Sequence, residues 1–381
     1  MRSLQMTRFK PRAAALLVAA LALSLGAAGA AWARKDQPPL RFLGEVQFPT
    51  GLVFDGTQVG GLSGIDYDPK RELYYAISDD RSSINPARFY ELTIDLRDGT
   101  LDDGDVVFRR VVTILNEQGL PFAPLSLDPE SIRFDPTRRT LFWTSEGDAT
   151  ALVPPFVREM KRDGRFVQEL ETPAKYDPTA DASSGIRNNL AFENLTLQGH
   201  GSKLLTATEN ALNQDGPAAS LAEGSPSRIL QLDPRSGKAR DEYIYVTEPV
   251  AEAPNPAGSF STNGLVEILS LGKERFLAVE RAFSTGVGNT IRIFLADLSR
   301  ATNVRRLDSI AGIPIRTARK ELLFDLDGLG IPLDNIEGIT FGSRLRTGER
   351  TLILVSDNNF STIQFTQFLA FEVKKGALDE R

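Results

Sequence analysis

One short motif recurs five times along this chain, and that recurrence limits the fold more than any other feature. Its clearest copy, residues 128–148, reads DPESIRFDPTRRTLFWTSEGD. Two strands, 131–135 and 141–145, are expected around a turn at Asp135-Pro136. There proline fixes φ and the aspartate side chain can bond back to the backbone. Glu130 precedes the first strand and Glu146 follows the second. The other copies occupy 62–80, 192–210, 262–281 and 336–358. From the apolar residue opening the first strand to the acid closing the second is 14 residues for Ile65 to Asp79, Ile132 to Glu146 and Leu195 to Glu209. It is 15 for Leu265 to Glu280 and 18 for Ile339 to Asp357. Two residues before each opening position stand Ser63, Glu130, Glu193, Asn263 and Glu337. A β-rich unit repeating every about 60–75 residues points to radial repetition around an axis, a β-propeller. Counting repeats gives an all-β fold of five blades, or six if 303–333 hides another.

The remaining strands are placed by the same pattern. Residues 41–48 form a strand before any complete repeat. The first repeat runs 64–67, 73–78, 89–94 and 106–115. The second adds 157–161 and 166–169, and the third adds 228–232 and 242–246. The fourth adds 291–298 and 304–310, with 321–325 as a candidate extension. The fifth has a third strand at 367–373, and then the chain nearly ends. Its missing fourth strand is what 41–48 can supply, closing the ring and leaving few open sheet edges. Insertions at 211–227 and 250–263 are long enough to shape a pocket, as long loops on a rigid scaffold commonly do.

Residues 1–33 are read as separate from the fold. Arg2, Arg8, Lys10 and Arg12 make a positive start, 13–28 is an apolar run, and Ala31-Trp32-Ala33 fits a small-x-small cleavage site. This is the pattern of a signal peptide cut after Ala33, or after Ala30, leaving 34–381 as one periplasmic or secreted domain. A retained membrane anchor is the alternative reading. The chain has no cysteine, which excludes disulfides, thiolate metal sites and a lipoprotein anchor. Loss of the leader removes four positive charges and no acid, taking the net charge from −6 to −10. Such a balance disfavours nucleic acid and anionic membrane surfaces and favours cations.

In a propeller the innermost strand of each blade lines the axis. The start of that strand and the end of the next lie at the same end, because the two are antiparallel. Asp79, Glu130, Glu146, Glu193, Glu209, Glu280, Glu337 and Asp357 are therefore expected around one mouth, with Ser63 and Asn263 in the remaining places. So many carboxylates raise one another's pKa unless cations or shared protons intervene. Arg81 and Arg281 directly follow acids of this set, and Asn210, Asn358 and Asn359 add amide oxygens. The only histidine, His200, falls in the turn 199–202. Oxygen-only ligation suits Ca²⁺, and Mg²⁺ or Mn²⁺ less well. An acid at a strand end is ordinarily a solvated turn residue, and what that reading leaves unexplained is an acid closing all five repeats. Serine catalysis has little support: there is no G-x-S-x-G, and His200 would be the sole base.

At these residues the chain resembles the phytase-like family named for the "esterase-like activity of phytase". The resemblance is carried by GLSGIDYDP…YYAISDDR at 61–81, DPESIRFDP…LFWTSEGD at 128–148, NLAFENLTL…LLTATEN at 189–210, FLAVERAF at 276–283 and IEGITF…LVSDNNF at 336–360. It covers roughly 42–373. It implies a phosphoesterase or phosphodiesterase-like activity carried by the acids named above, with Arg81 and Arg281 beside them. The expectation is an exported, Ca²⁺-dependent hydrolase of a phosphorylated small molecule. In it Glu193, Glu209 and Glu280 act with the metal, and Arg81 and Arg281 clamp phosphate oxygens. Two alternatives stand beside it: a metal-dependent lactonase, and a calcium-stabilised periplasmic scaffold without turnover.

Overall fold

Residues 38–199 and 201–378 are described in the computed structural model, so the leader expected at 1–33 and the turn residue His200 lie outside the described residues. The first strand, β1 (Leu40–Pro49), is followed by a minimal hairpin of β2 (Val53–Phe54) and β3 (Thr57–Gln58). Four consecutive blades then form in chain order. Blade one is β4 (Leu62–Asp68), β5 (Leu73–Ser78), β6 (Arg88–Ile94) and β7 (Val106–Thr113). Blade two is β8 (Pro129–Asp135), β9 (Thr140–Ser145), β10 (Phe156–Lys161) and β11 (Phe166–Leu170). Blade three is β12 (Phe192–Gln198), β13 (Lys203–Thr208), β14 (Pro226–Asp233) and β15 (Lys238–Val246). Blade four is β16 (Ser261–Gly272), β17 (Arg275–Ser284), β18 (Gly288–Asp297) and β19 (Arg319–Asp325). The fifth sheet, in the order β20 (Asn335–Phe341), β21 (Arg350–Asp357), β22 (Phe365–Val373) and β1, joins the two ends of the chain. β1 pairs with β22 from Leu40–Val373 to Pro49–Phe365, which closes the ring. The fold is thus an all-β, five-bladed propeller.

Local chemistry explains the hairpins. At the β8–β9 turn Asp135 accepts hydrogen bonds from the backbone N–H of Thr137 and Arg138, the Asx geometry its Asp-Pro sequence encodes. The apolar core is divided among the blade–blade interfaces. Between blades one and two, for example, Ile77 and Phe89 meet Ile132 and Trp143. The Trp143 ring stands edge-on to Phe122 and Phe156, which makes it a packing residue. Among the described residues no helix is long and apolar enough to cross a membrane.

Residues 303–333 do not hold a sixth blade. They contain β19, the outer strand of blade four, and a short 3-10 helix at Leu326–Leu329. The strand expected at 304–310 is a loop: Val304 and Ile310 are buried against Ile244 of β15, and the Leu307 N–H closes a turn onto the Val304 carbonyl. The apolar residues there are spaced by three, which suits turns and not the two-residue period of a strand.

Two features of the innermost strands matter for the site. In every blade the ladder between the first and second strands is broken by a bulge at one equivalent place. It skips Ser63 in blade one, Glu130 and Ser131 in blade two, Glu193 in blade three, Val266 in blade four and Glu337 in blade five. A bulge takes a residue out of the pairing and re-aims its side chain. Below the bulges, a buried ion pair fills the axis. The Arg133 guanidinium, on β8, lies 2.7 Å from Glu267 of β16 and donates to the carbonyls of Ile65, Ile268 and Ile339. Glu267 in turn accepts from Ser131 Oγ and from the Leu195 N–H. All five innermost strands are tied by these two side chains, which are 2% and 0% exposed.

Candidate functional site

The bulges open onto a cavity of about 550 Å³ at one mouth of the axis. Six of the acids marked by the sequence line it: Asp79, Glu130, Glu193, Glu209, Glu337 and Asp357. Glu130, Glu193 and Glu337 are the bulged residues themselves. Asp79, Glu209 and Asp357 close or directly follow the second strands. Glu146 sits one layer behind, where the Ala191 N–H donates to it at 2.6 Å. Asp128, two residues before Glu130 in the DPE triplet, also lines the cavity and was not singled out by the repeat count.

Blade four departs from the pattern, and here the expected register needs correcting. Glu267 pairs with Val279 and Ile268 with Ala278, just as Gly64 pairs with Ile77 and Ile65 with Ala76 in blade one. The opening residue is therefore Ile268, three positions beyond Leu265. The bulge position holds Val266 and not Asn263. The closing position is Arg281, not Glu280. Glu280 is placed away from the cavity. It accepts from the Tyr245 hydroxyl at 2.7 Å, the Glu248 N–H at 2.7 Å, Asn263 Nδ2 at 3.0 Å and Lys320 Nζ at 2.6 Å. Those donors occupy its carboxylate and hold it between blades three and four, away from the ion or substrate role first given to it.

Arg281 thus stands where the other blades have an acid. Its guanidinium reaches Glu337 at 3.1 Å and Glu209 at 3.5 Å. Arg81 lies further out, 2.8 Å from Asp148 and 3.5 Å from Asp128. Of the asparagines, Asn359 lines the cavity. Asn210 and Asn358 are engaged in structural hydrogen bonds, to Asn263 and Ala219 and to Gly61, Phe360 and Thr50. The insertion 211–227 folds back on blade three, where Asp215 pairs with the buried Arg228, and contributes nothing to the cavity lining. Residues 250–263 do reach it, through Phe260 and Thr262.

The electrostatics follow from burying many carboxylates with few cations. Burial pushes Glu146 up to about 8 and Asp357 up to about 8, with neighbouring acids adding to both. Burial likewise raises Asp128 to about 7 against the pull of Arg81, and Glu337 to about 7 against Arg281. Asp79, Glu130 and Glu193 lie well above the usual carboxylate range, first through burial and then through one another's charge. Without a cation such a site holds protons at neutral pH, and Glu146 and Glu193 are hydrogen-bonded to each other.

The donor set fits a divalent ion. Asp128, Glu130 and Glu146 each offer a carboxylate oxygen within 4.8 Å of the others, so one divalent ion could take an oxygen from each. Buried oxygens on Asp79 and Glu209 have no hydrogen-bond partner. Glu209 is held by close packing. A Cβ added at Gly264 would collide with its Oε1 and its Cγ, while the Gly264 backbone itself would accept a side chain. Gly264→Ala is therefore expected to turn the Glu209 carboxylate away. Divalent-ion affinity should fall by about tenfold or more, the scale seen when the support of a ligand is lost. Calorimetric titration checks this, and overpacking at the buried Glu209 should also lower the metal-free melting temperature.

The profile of the phytase-like family, described as the esterase-like activity of phytase, matches residues 57–360. A comparison with curated proteins finds no match. Among solved structures the chain is similar to the Dos1 propeller, with 9% identity and a TM-score of 0.35 over 84% of this chain and 69% of that one. It is also similar to a thermostable family-43 glycoside hydrolase, with 10% identity and a TM-score of 0.46 over 85% of this chain and 92% of that one. The Cps50 (Swd1) β-propeller domain of Myceliophteria thermophila gives 10% identity and a TM-score of 0.34 over 86% and 100%. The profile match reaches all five blades, and the chain belongs to the phytase-like family, esterase-like activity of phytase.

Proposed function

We propose that this protein is an exported phosphoric ester hydrolase that depends on a divalent ion, Ca²⁺ by preference, held at the acidic mouth. The observation that carries the reading is the convergence of Asp128, Glu130 and Glu146 within 4.8 Å of one another, bordering a cavity that also presents a guanidinium. Export rests on the leader pattern of residues 1–33. When bound, the ion supplies Lewis acidity and a more acidic water. Asp128, Glu130 and Glu146 would hold it, and the oxygens of Asp79 and Glu209 that accept no hydrogen bond extend the donor set. Arg281, whose guanidinium lies beside Glu209 and Glu337 in the cavity lining, is placed to orient a phosphoryl oxygen. Arg81 is positioned by Asp148 at the outer edge. Glu193, held well above the usual carboxylate range first by burial and then by the charges of Glu146 and Glu209, is placed to donate to the departing alkoxide as a general acid. In the balanced reaction water oxygen bonds to phosphorus, the ester P–O bond breaks, and the alcohol leaves with a proton.

The test begins with EDTA-stripped protein. Ca²⁺, Mg²⁺ and Mn²⁺ are titrated calorimetrically, and a phosphomonoester, a phosphodiester and a lactone are offered with and without the ion. Ion binding with ion-dependent phosphoester cleavage is expected, and Glu209→Gln should weaken both. Cleavage of the lactone alone would replace the phosphoester with a carboxylic ester under similar metal–water chemistry. Binding with no turnover on any substrate would leave a calcium-stabilised scaffold.

A further inference from the structure

The cavity is not acidic all round. Blade four, where Val266 and Arg281 replace the acids, lends it no carboxylate: its contribution includes Phe260, Arg281 and Phe283. The adjoining loop of blade five adds Ile363 and Phe365. Phe260 is 67% exposed and Ile363 90% exposed. Single exposed apolar residues are ordinary on a protein surface. These two differ because both face one cavity and both are fastened in place. The Phe260 carbonyl accepts from the Thr285 N–H at 3.0 Å and from Thr285 Oγ1 at 2.9 Å, and its ring packs 6.2 Å from that of Phe283. Beside Ile363, Gln364 donates to Asp334 at 2.8 Å, the Phe365 N–H donates to the same carboxylate at 2.6 Å, and Thr50 donates to the Gln364 carbonyl at 2.8 Å. Asp334, itself buried, thus holds the blade-five loop beside the mouth.

From this division we infer that the substrate is an ester whose alcohol part is apolar, an aryl or medium alkyl group, and not a wholly polar polyphosphate. The phosphoryl end lies beside Arg281, among the carboxylates of blades one, two, three and five. The apolar end lies on Phe260, Phe283 and Ile363, which determine specificity. This assignment rests on the phosphoester reading above.

The test compares phenylphosphonate with methylphosphonate, two non-hydrolysable probes that differ in the apolar group, by calorimetric titration of the Ca²⁺-loaded protein. Burying a phenyl ring on this wall should make phenylphosphonate bind about tenfold or more tightly than methylphosphonate, from roughly 25 cal/mol for each Å² of apolar area removed from water. The double variant Phe260→Ala with Ile363→Ser, at exposed positions outside the ion site, removes two of the three wall residues and should cut that preference several-fold while leaving methylphosphonate affinity unchanged. Equal binding of the two probes by the wild type, or a preference undiminished in the double variant, would overturn the apolar wall and leave the phosphoester reading standing. Failure of both probes to bind would overturn the phosphoester reading and this assignment together.

Discussion

Replacing Arg133 by methionine is expected to destabilise the protein by about 3–5 kcal/mol, the range for removing one partner of a buried ion pair. For a domain of this size that is a fall of roughly 4–7 °C in melting temperature, taking about 2.1 cal/mol/K of unfolding entropy per residue. The cause is the isolation of Glu267. With Arg133 present, burial already pushes its carboxyl up to about 7. Without the guanidinium it rises further. Its folded pKa then lies above the unfolded value of about 4.5 by a larger margin, so the stability it contributes is present below that value and is lost as pH rises through the folded pKa. The gap between wild type and Arg133→Met should thus be smallest near pH 5 and largest above about pH 7. Combining Arg133→Met with Glu267→Gln removes the stranded charge while keeping an acceptor for the Leu195 N–H, and should recover about half of the loss. Denaturant unfolding at several pH values measures all of this. A single variant within about 1 kcal/mol of wild type would mean that the axial pair adds nothing to the ring.

Arg133 and Glu267 also show where reading the sequence stopped. Arg133 lies between Ile132 and Phe134, so two-residue alternation assigns it to a solvated face. In an innermost propeller strand that face looks onto the axis, and only the closed ring reveals that a charge there is buried. The hairpins of blades one, two, three and five were legible because their closing acids stand at Asp79, Glu146, Glu209 and Asp357, just beyond or at the end of the second strand. Blade four misled the count for a local reason. Its hairpin turns through Lys273 and Glu274, both at positive φ, between the paired residues Gly272 and Arg275. That is a two-residue turn of the kind usually written Asn-Gly or Asp-Gly, here built from residues that carry no such signal. With the opening residue at Ile268 and this shorter hairpin, the closing position comes 13 residues on, at Arg281, whereas counting 15 from Leu265 ends at Glu280. The only cation at a closing position was therefore hidden behind an acid. The resulting asymmetry, acids on blades one, two, three and five and a cationic, apolar wall on blade four, could not be read from the repeat.

Removing divalent ions should make the protein progressively less stable as pH rises from 5 to 9, and adding them back should reverse this most strongly at the alkaline end. Asp128, Glu146, Glu337 and Asp357 have pKa values raised by burial to between about 7 and about 8, while in the unfolded chain they titrate near their ordinary values. A carboxyl with a raised folded pKa gives stability that is whole below the unfolded pKa and is lost as pH climbs through the folded one. The window here runs from about pH 4 to about pH 8. For an isolated group, a tenfold gain in proton affinity on folding corresponds to about 1.4 kcal/mol. These groups share charge, so their contributions do not simply add, yet the total loss should reach several kcal/mol. A bound cation needs the same oxygens ionised and so displaces their protons. Near pH 5 the ion competes with protons and should raise the melting temperature little. Near pH 8.5 a hundredfold excess over Kd is worth about 2.7 kcal/mol, or roughly 4 °C, and larger excesses add to it. Calorimetry in two buffers of different ionisation enthalpy should also register proton release on binding at pH 7 and little at pH 9, where the acids are already ionised. A melting temperature that stays flat from pH 5 to pH 9 without ions would mean that water or structural partners already satisfy these carboxylates, and the acidic mouth would then have no demand for a metal.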